Sequence, residues 1–155
     1  MIDVLDYEEV ENYTVSVRAI DTVTGHYIDV PLEIAVTDVN DHPPKFHHQF
    51  FSPDISEAAS PGTAVLKILT KDKDTGENAG VSYQLTPVDG GNGSSPFFIQ
   101  SGSGLISLRS VLDRETASEH AFLVIATDTG SPPLSSTALV VVTGLQTFTT
   151  DTSFN

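Results

Sequence analysis

Cysteine is absent from the 155 residues, and so is tryptophan. Without cysteine there are no disulfides, no thiol nucleophile and no zinc–thiolate site, and the redox compartment stays open. Basic residues are scarce: seven Lys and Arg stand against 21 Asp and Glu, for a formal net charge of −14. That balance argues against nucleic acid as a partner, because phosphate binding needs a basic stripe. No apolar run approaches the roughly 18 residues of a membrane span. Met1-Ile2-Asp3-Val4 has neither a basic flank nor an apolar core, so no signal peptide is expected there. If the protein works outside the cell, this chain is then expected to be a piece of something longer. Catalytic signatures are missing as well. No serine sits in a nucleophile elbow and there is no H-E-x-x-H. The Gly-rich stretch 89–95 lacks the lysine and the strand-to-helix setting of a phosphate cradle. The expectation is a protein that is not an enzyme.

What is present is an acidic hinge, Asp38-Val39-Asn40-Asp41-His42-Pro43-Pro44-Lys45-Phe46. Two carboxylates and a carboxamide fall within four residues, and two prolines follow. A prolyl nitrogen cannot donate to a sheet ladder, and it drives the residue before it into an extended conformation. An apolar strand must therefore end here and a new element begin beyond Phe46. The connector between them is short, stiff and rich in oxygen. Hard cations such as Ca²⁺ take six to eight oxygen ligands of this kind.

A repeat surrounds the hinge. Leu5-Asp6-Tyr7-Glu8 recurs as Leu112-Asp113-Arg114-Glu115, and Ala19-Ile20-Asp21 recurs as Ala126-Thr127-Asp128, both at a step of 107 residues. The module is thus of ordinary domain size. Alternation with period two, broken by Gly, Pro, Asn, Asp and Ser, predicts a hairpin from strands 13–20 and 28–36 around Thr24-Gly25. It also predicts seven strands after the hinge, at 50–56, 63–70, 81–86, 97–100, 105–108, 120–127 and 137–143. No stretch has a helical period. The fold class is all-β, an antiparallel sandwich. Residues 1–41 are expected to be the last strands and linker of an incomplete module, 42–144 a complete one, and 145–155 a disordered or frayed tail. At the step of 107, Leu145-Gln146-Thr147-Phe148 stands where the hinge motif should recur.

Taken together, the hinge, Leu112-Asp113-Arg114-Glu115, Ala126-Thr127-Asp128, Asp72-Lys73-Asp74 and Ser56-Glu57-Ala58 resemble the cadherin extracellular repeat, in the family's order and over residues 1 to about 144. The resemblance implies a seven-strand Greek-key, immunoglobulin-like sandwich, strung in tandem with Ca²⁺ in each linker. It implies that Asp6 and Glu8 are the acidic pair of the preceding repeat. Asn40 and Asp41 would be side-chain ligands of the linker, and Val39 and His42 would give backbone carbonyls. Asp72 and Asp74 match the paired aspartates of the following repeat, Asn78 its carbonyl ligand, and Asp128 the aspartate that closes the site. One ion, on Asn40, His42, Asp72, Asp74, Asn78 and Asp128, has every implied ligand. Others would fall to Asp6, Glu8 and Asp41 and bind more weakly. Asp21, Glu57, Asp113 and Glu115 match ligands of neighbouring linkers whose other halves are missing, so no ion is expected on them.

The function so implied is calcium-dependent cell–cell adhesion, homophilic or heterophilic, through a like or related ectodomain on a facing cell. The parent would sit on the extracellular side of the plasma membrane, held by one membrane helix. Asn12-Tyr13-Thr14 and Asn92-Gly93-Ser94 are glycosylation acceptor patterns, and Asn92 is the better placed. The electrostatics stand apart from the resemblance. Two carboxylates about 5 Å apart repel by roughly 3 kcal/mol at an effective dielectric near 20. Six of them, on Asp6, Glu8, Asp41, Asp72, Asp74 and Asp128, would need cations or protons to stay together. Other readings are a calcium-dependent carbohydrate-binding module or a glycosidase with paired acids, and a passive spacer or truncated fragment. A glycan or hydrolysis screen separates the first pair from adhesion, and bead binding with and without Ca²⁺ separates the second.

Overall fold

The computed structural model describes residues 5–88, 95–113 and 115–146. Asn92, Arg114 and all but the first two residues of the expected tail lie outside them. The chain divides into two units, Met1–Val39 and Asn40–Asn155.

In the first unit, β1 (Asn12–Ile20) and β2 (Tyr27–Ala35) form one antiparallel hairpin. Directly opposed residues share a face, so Val15 with Leu32 and Val17 with Val30 build one apolar side. Arg18 and Asp29 pair on the other side at 2.7 Å, and the Arg18 guanidinium also lies 4.2 Å from the Tyr27 ring centre. Asp21 closes the turn. Its carboxylate accepts from Val23 N at 2.8 Å and from the Thr24 hydroxyl at 2.5 Å, which holds its pKa below the ordinary value. A residue matched to a neighbouring linker thus has a local structural use.

The second unit holds β3 (Lys45–Phe46), β4 (Phe50–Phe51), β5 (Asp54–Ser56), β6 (Ala64–Lys67), β7 (Thr70–Lys71), a 3-10 turn (Gly76–Ala79), β8 (Val81–Pro87), β9 (Phe97–Ile99), β10 (Leu105–Leu108), β11 (Glu119–Asp128) and β12 (Ser135–Leu145). One sheet runs β4-β12-β11-β8, with β5 also on β12. A second runs β6-β10-β9, and β3 pairs with β7 in a short ribbon. The inward residues Phe122, Val124, Ala138 and Val140 of the first sheet bury against Phe97, Ile106 and Leu108 of the second. The repeat is visible here in three dimensions. Phe122–Val140 and Val124–Ala138 pair as Val15–Leu32 and Val17–Val30 do. Asp113 Oδ1 accepts from Glu115 N at 3.0 Å, as Asp6 Oδ1 does from Glu8 N. Burial differs: Val124 is 0% exposed and its counterpart Val17 51%, because the first unit is a hairpin without a second sheet among its described residues.

Two expected strands are split. The run 50–56 breaks at Ser52-Pro53, since a proline cannot donate to the ladder, and both pieces pair parallel to β12 rather than antiparallel. The run 63–70 breaks at Ile68-Leu69, where Ile68 N donates to Gly104 O at 2.9 Å and the chain leaves β10 to pair with β3. That change of partner carries Asp72 and Asp74 to the hinge. Leu145, assigned by sequence to the tail, is the last residue of β12.

Candidate metal centre

The hinge residues of the second unit meet acids from two distant points of the chain. Asn40, 8% exposed, donates through Nδ2 to both oxygens of Asp128, each at 3.2 Å, and to Pro132 O at 2.7 Å. Asp128 ends β11. Its Oδ1 also accepts from Gly130 N at 3.1 Å and Leu134 N at 2.9 Å. Because Nδ2 takes these acceptors, the carboxamide's oxygen is turned away from them. Asn40 Oδ1 is buried and has no hydrogen-bond partner.

Two residues along, His42 N donates to Asp74 Oδ2 at 3.2 Å. The ring Nδ1 of His42 lies 2.9 Å from Asp74 Oδ1 and 2.6 Å from Asp41 Oδ1. The Asp74 side chain is wholly buried and that of Asp41 largely exposed. The hydrogen bond to Asp74 raises the His42 pKa above its usual 6.5. Burial opposes the rise, the negative charges of Asp41 and Asp74 add to it, and Lys73 works against it. Asp72 is tied to Asp74: its Oδ1 accepts from Asp74 N at 3.0 Å, whereas Oδ2 is buried without a hydrogen-bond partner. Ligand atoms of Asp41, His42 and Asp74 lie within 4.8 Å of one another.

The structure therefore brings together Asn40 with Asp128, and Asp41, His42 and Asp74 with Asp72 alongside. Asn78 lies half-buried in the 3-10 turn that follows. Asp6, Glu8 and Val39 belong to the first unit, where Val39 is 63% exposed. The resemblance gave His42 a role only through its backbone, but its ring engages two carboxylates. The sequence signal for this was an ionisable ring next to Asp41. Gly130 was not singled out either. A Cβ there would lie 2.2 Å from Asn40 Cγ, so only glycine leaves room for the carboxamide.

Comparison with known proteins agrees with this architecture. The family model described as Cadherin domain matches residues 51–143. The chain is 40% identical over 141 residues to human Protocadherin Fat 1, covering 89% of this chain and 3% of that protein. It is 41% identical over 140 residues to Protein dachsous of Drosophila melanogaster, covering 90% of this chain and 4% of that protein. The chain thus spans only a small part of these relatives. Among solved structures, extracellular cadherin domains 3-6 of protocadherin gamma B2 match with a TM-score of 0.83 at 28% identity, over 92% of this chain and 35% of that one. A mouse cadherin-23 fragment matches with a TM-score of 0.78 at 30% identity, over 94% of this chain and 45% of that one.

Proposed function

This chain belongs to the cadherin family, a family of adhesion proteins rather than enzymes, and we propose that it serves calcium-dependent cell–cell adhesion with Ca²⁺ held at its hinge. The observation that carries the calcium reading is the pair of buried oxygens, Asn40 Oδ1 and Asp72 Oδ2, that accept no hydrogen bond. Leaving a buried acceptor unmatched costs about 1–3 kcal/mol. A hard cation satisfies such oxygens, and carboxylates beside them supply the charge it prefers. The side chains of Asn40, Asp72, Asp74 and Asp128 would hold the firm ion, and that of Asp41 a weaker one. The backbone carbonyls of Val39, His42 and Asn78, and the acids Asp6 and Glu8, rest on the family resemblance alone.

Calcium neutralises carboxylates that otherwise repel one another, and it turns the connector 38–46 into a rigid one. Rigidity is what lets a tandem ectodomain present an adhesive surface to a like or related ectodomain on a facing cell. This reading puts the protein on the extracellular side of the plasma membrane, as part of a longer ectodomain.

Calorimetric titration of the chain with Ca²⁺ tests the first half of the reading, with one firm site and weaker ones expected. A flat isotherm at millimolar Ca²⁺ would sink it. Beads coated with the chain test the second half. Aggregation that needs Ca²⁺ supports adhesion by this stretch, and calcium binding without aggregation assigns it the role of a spacer. The seating of Asn40 is tested by Gly130→Ala, whose methyl would push the carboxamide off Asp128. About tenfold weaker binding at the firm site is expected, together with a lower melting temperature in chelator, because the three hydrogen bonds of Asn40 Nδ2 are lost.

A further inference from the structure

Three of the chain's seven basic side chains, Lys45, Lys71 and Lys73, line one open groove of about 790 Å³ in the second unit. This concentration is unexpected in a chain of net charge −14. Lys45 and Lys71 are direct cross-strand partners in the β3–β7 ribbon. Like charges so opposed destabilise a ribbon. All three lysines are exposed, and among the described residues the ion pairs are those of Arg18 and His42, none of them with these lysines. The rest of the exposed lining is His47, Gln49, Thr137 from β12, and one apolar residue, Pro43.

We propose that this groove binds a sulfated glycosaminoglycan. The lysines take the sulfates, and the Gln49 amide and Thr137 hydroxyl take sugar hydroxyls. Of the apolar lining residues Pro44 and Phe46 are buried and Pro43 is exposed. An acidic peptide would find that single small ring as its apolar anchor, whereas a sugar needs no more than one flat apolar face beside its polar contacts, which is why a sugar fits better. The chain's overall negative charge does not forbid this, because salt screens charges beyond about 8 Å at physiological ionic strength. Within that range a short polyanion meets the three lysines and also Asp41 and Asp74, which lie 2.6 and 2.9 Å from the His42 ring of the lining. Binding is therefore expected to be tighter when Ca²⁺ neutralises these acids. The choice of a glycan found outside cells rests on the extracellular reading above; the groove's affinity for sulfate groups does not.

The test is titration of the intact chain with a heparin-derived octasaccharide at physiological ionic strength, once in chelator and once in Ca²⁺. Binding in both buffers is expected, falling as salt is raised. Lys45→Gln/Lys71→Gln/Lys73→Gln should weaken it by about tenfold or more without lowering the melting temperature. The corresponding triple arginine variant should keep it, and Lys67→Gln, outside the groove, should leave it unchanged. The proposal is overturned by no binding in either buffer, or by equal loss from Lys67→Gln. It is also overturned by equal binding of unsulfated heparosan or of a poly-glutamate peptide of the same charge. Octasaccharide binding with a flat calcium isotherm would mean that the calcium reading fails and the groove stands. The converse result would remove the groove alone.

Discussion

Asp74→Ala is expected to abolish the firm calcium site, lowering its affinity at least about a hundredfold, or roughly 2.7 kcal/mol. Asp74 is buried, 5% exposed, and both its oxygens point at hinge groups. No water-exposed neighbour can substitute for a buried carboxylate in a coordination shell. In chelator the variant should lose little stability: two hydrogen bonds from His42 disappear, but repulsion with Asp41 and Asp72 is relieved. The two states therefore separate cleanly in a melt. Calcium at a hundred times its Kd adds about 2.7 kcal/mol to the parent chain by mass action, and nothing comparable to the variant. Calorimetry gives the same answer directly. An isotherm for Asp74→Ala that matches the parent would rule out the ligand assignment.

The largest loss of stability is expected from Gly104→Ala, about 3 kcal/mol. Gly104 has φ +67°, where an L side chain is strained, and a Cβ there would lie 2.1 Å from the Ile68 carbonyl oxygen. That carbonyl cannot retreat cheaply. Ile68 N donates to Gly104 O at 2.9 Å, and the Ile68 side chain is fully buried. Moving it disturbs the point at which the chain leaves β10 for β3, and with it the approach of Asp72 and Asp74 to the hinge. Calcium affinity should fall along with stability. Gly102→Ala is the control, since no atom lies within 4 Å of its Cβ position and its φ is not positive; less than about 0.5 kcal/mol is expected. Denaturant melts of both variants decide the matter. Equal midpoints would show that the Gly104 contact is slack.

Much of the architecture was legible in the chain. The hairpin around Thr24-Gly25 has local causes, namely alternation on both sides and a glycine that adopts φ +74°. The repeat was legible because Asp6 and Asp113 each cap their own chain two residues on, a contact that needs no distant partner. Asp21 and Asp113 show the limit of motif reading. Matched by type to linker ligands, each is held by a nearby threonine hydroxyl, and this interaction lowers its pKa. An acidic residue in a turn looks the same in sequence whether it caps or coordinates.

Taken alone, the sequence determined an all-β module, its repetition, and an oxygen-rich hinge between units. Alternation, proline and short-range acid spacing act over a few residues and can be read along a line. Which acids meet is a property of the folded chain. Asn40 reaches Asp128 across 88 residues and His42 reaches Asp74 across 32. Those meetings depend on sheet register, on the break at Ile68-Leu69, and on the space that Gly130 leaves. The same register sets Lys45 against Lys71, and no local pattern announces it. Register is a cooperative outcome of core packing, in which a slip of one residue would turn every side chain to the opposite face.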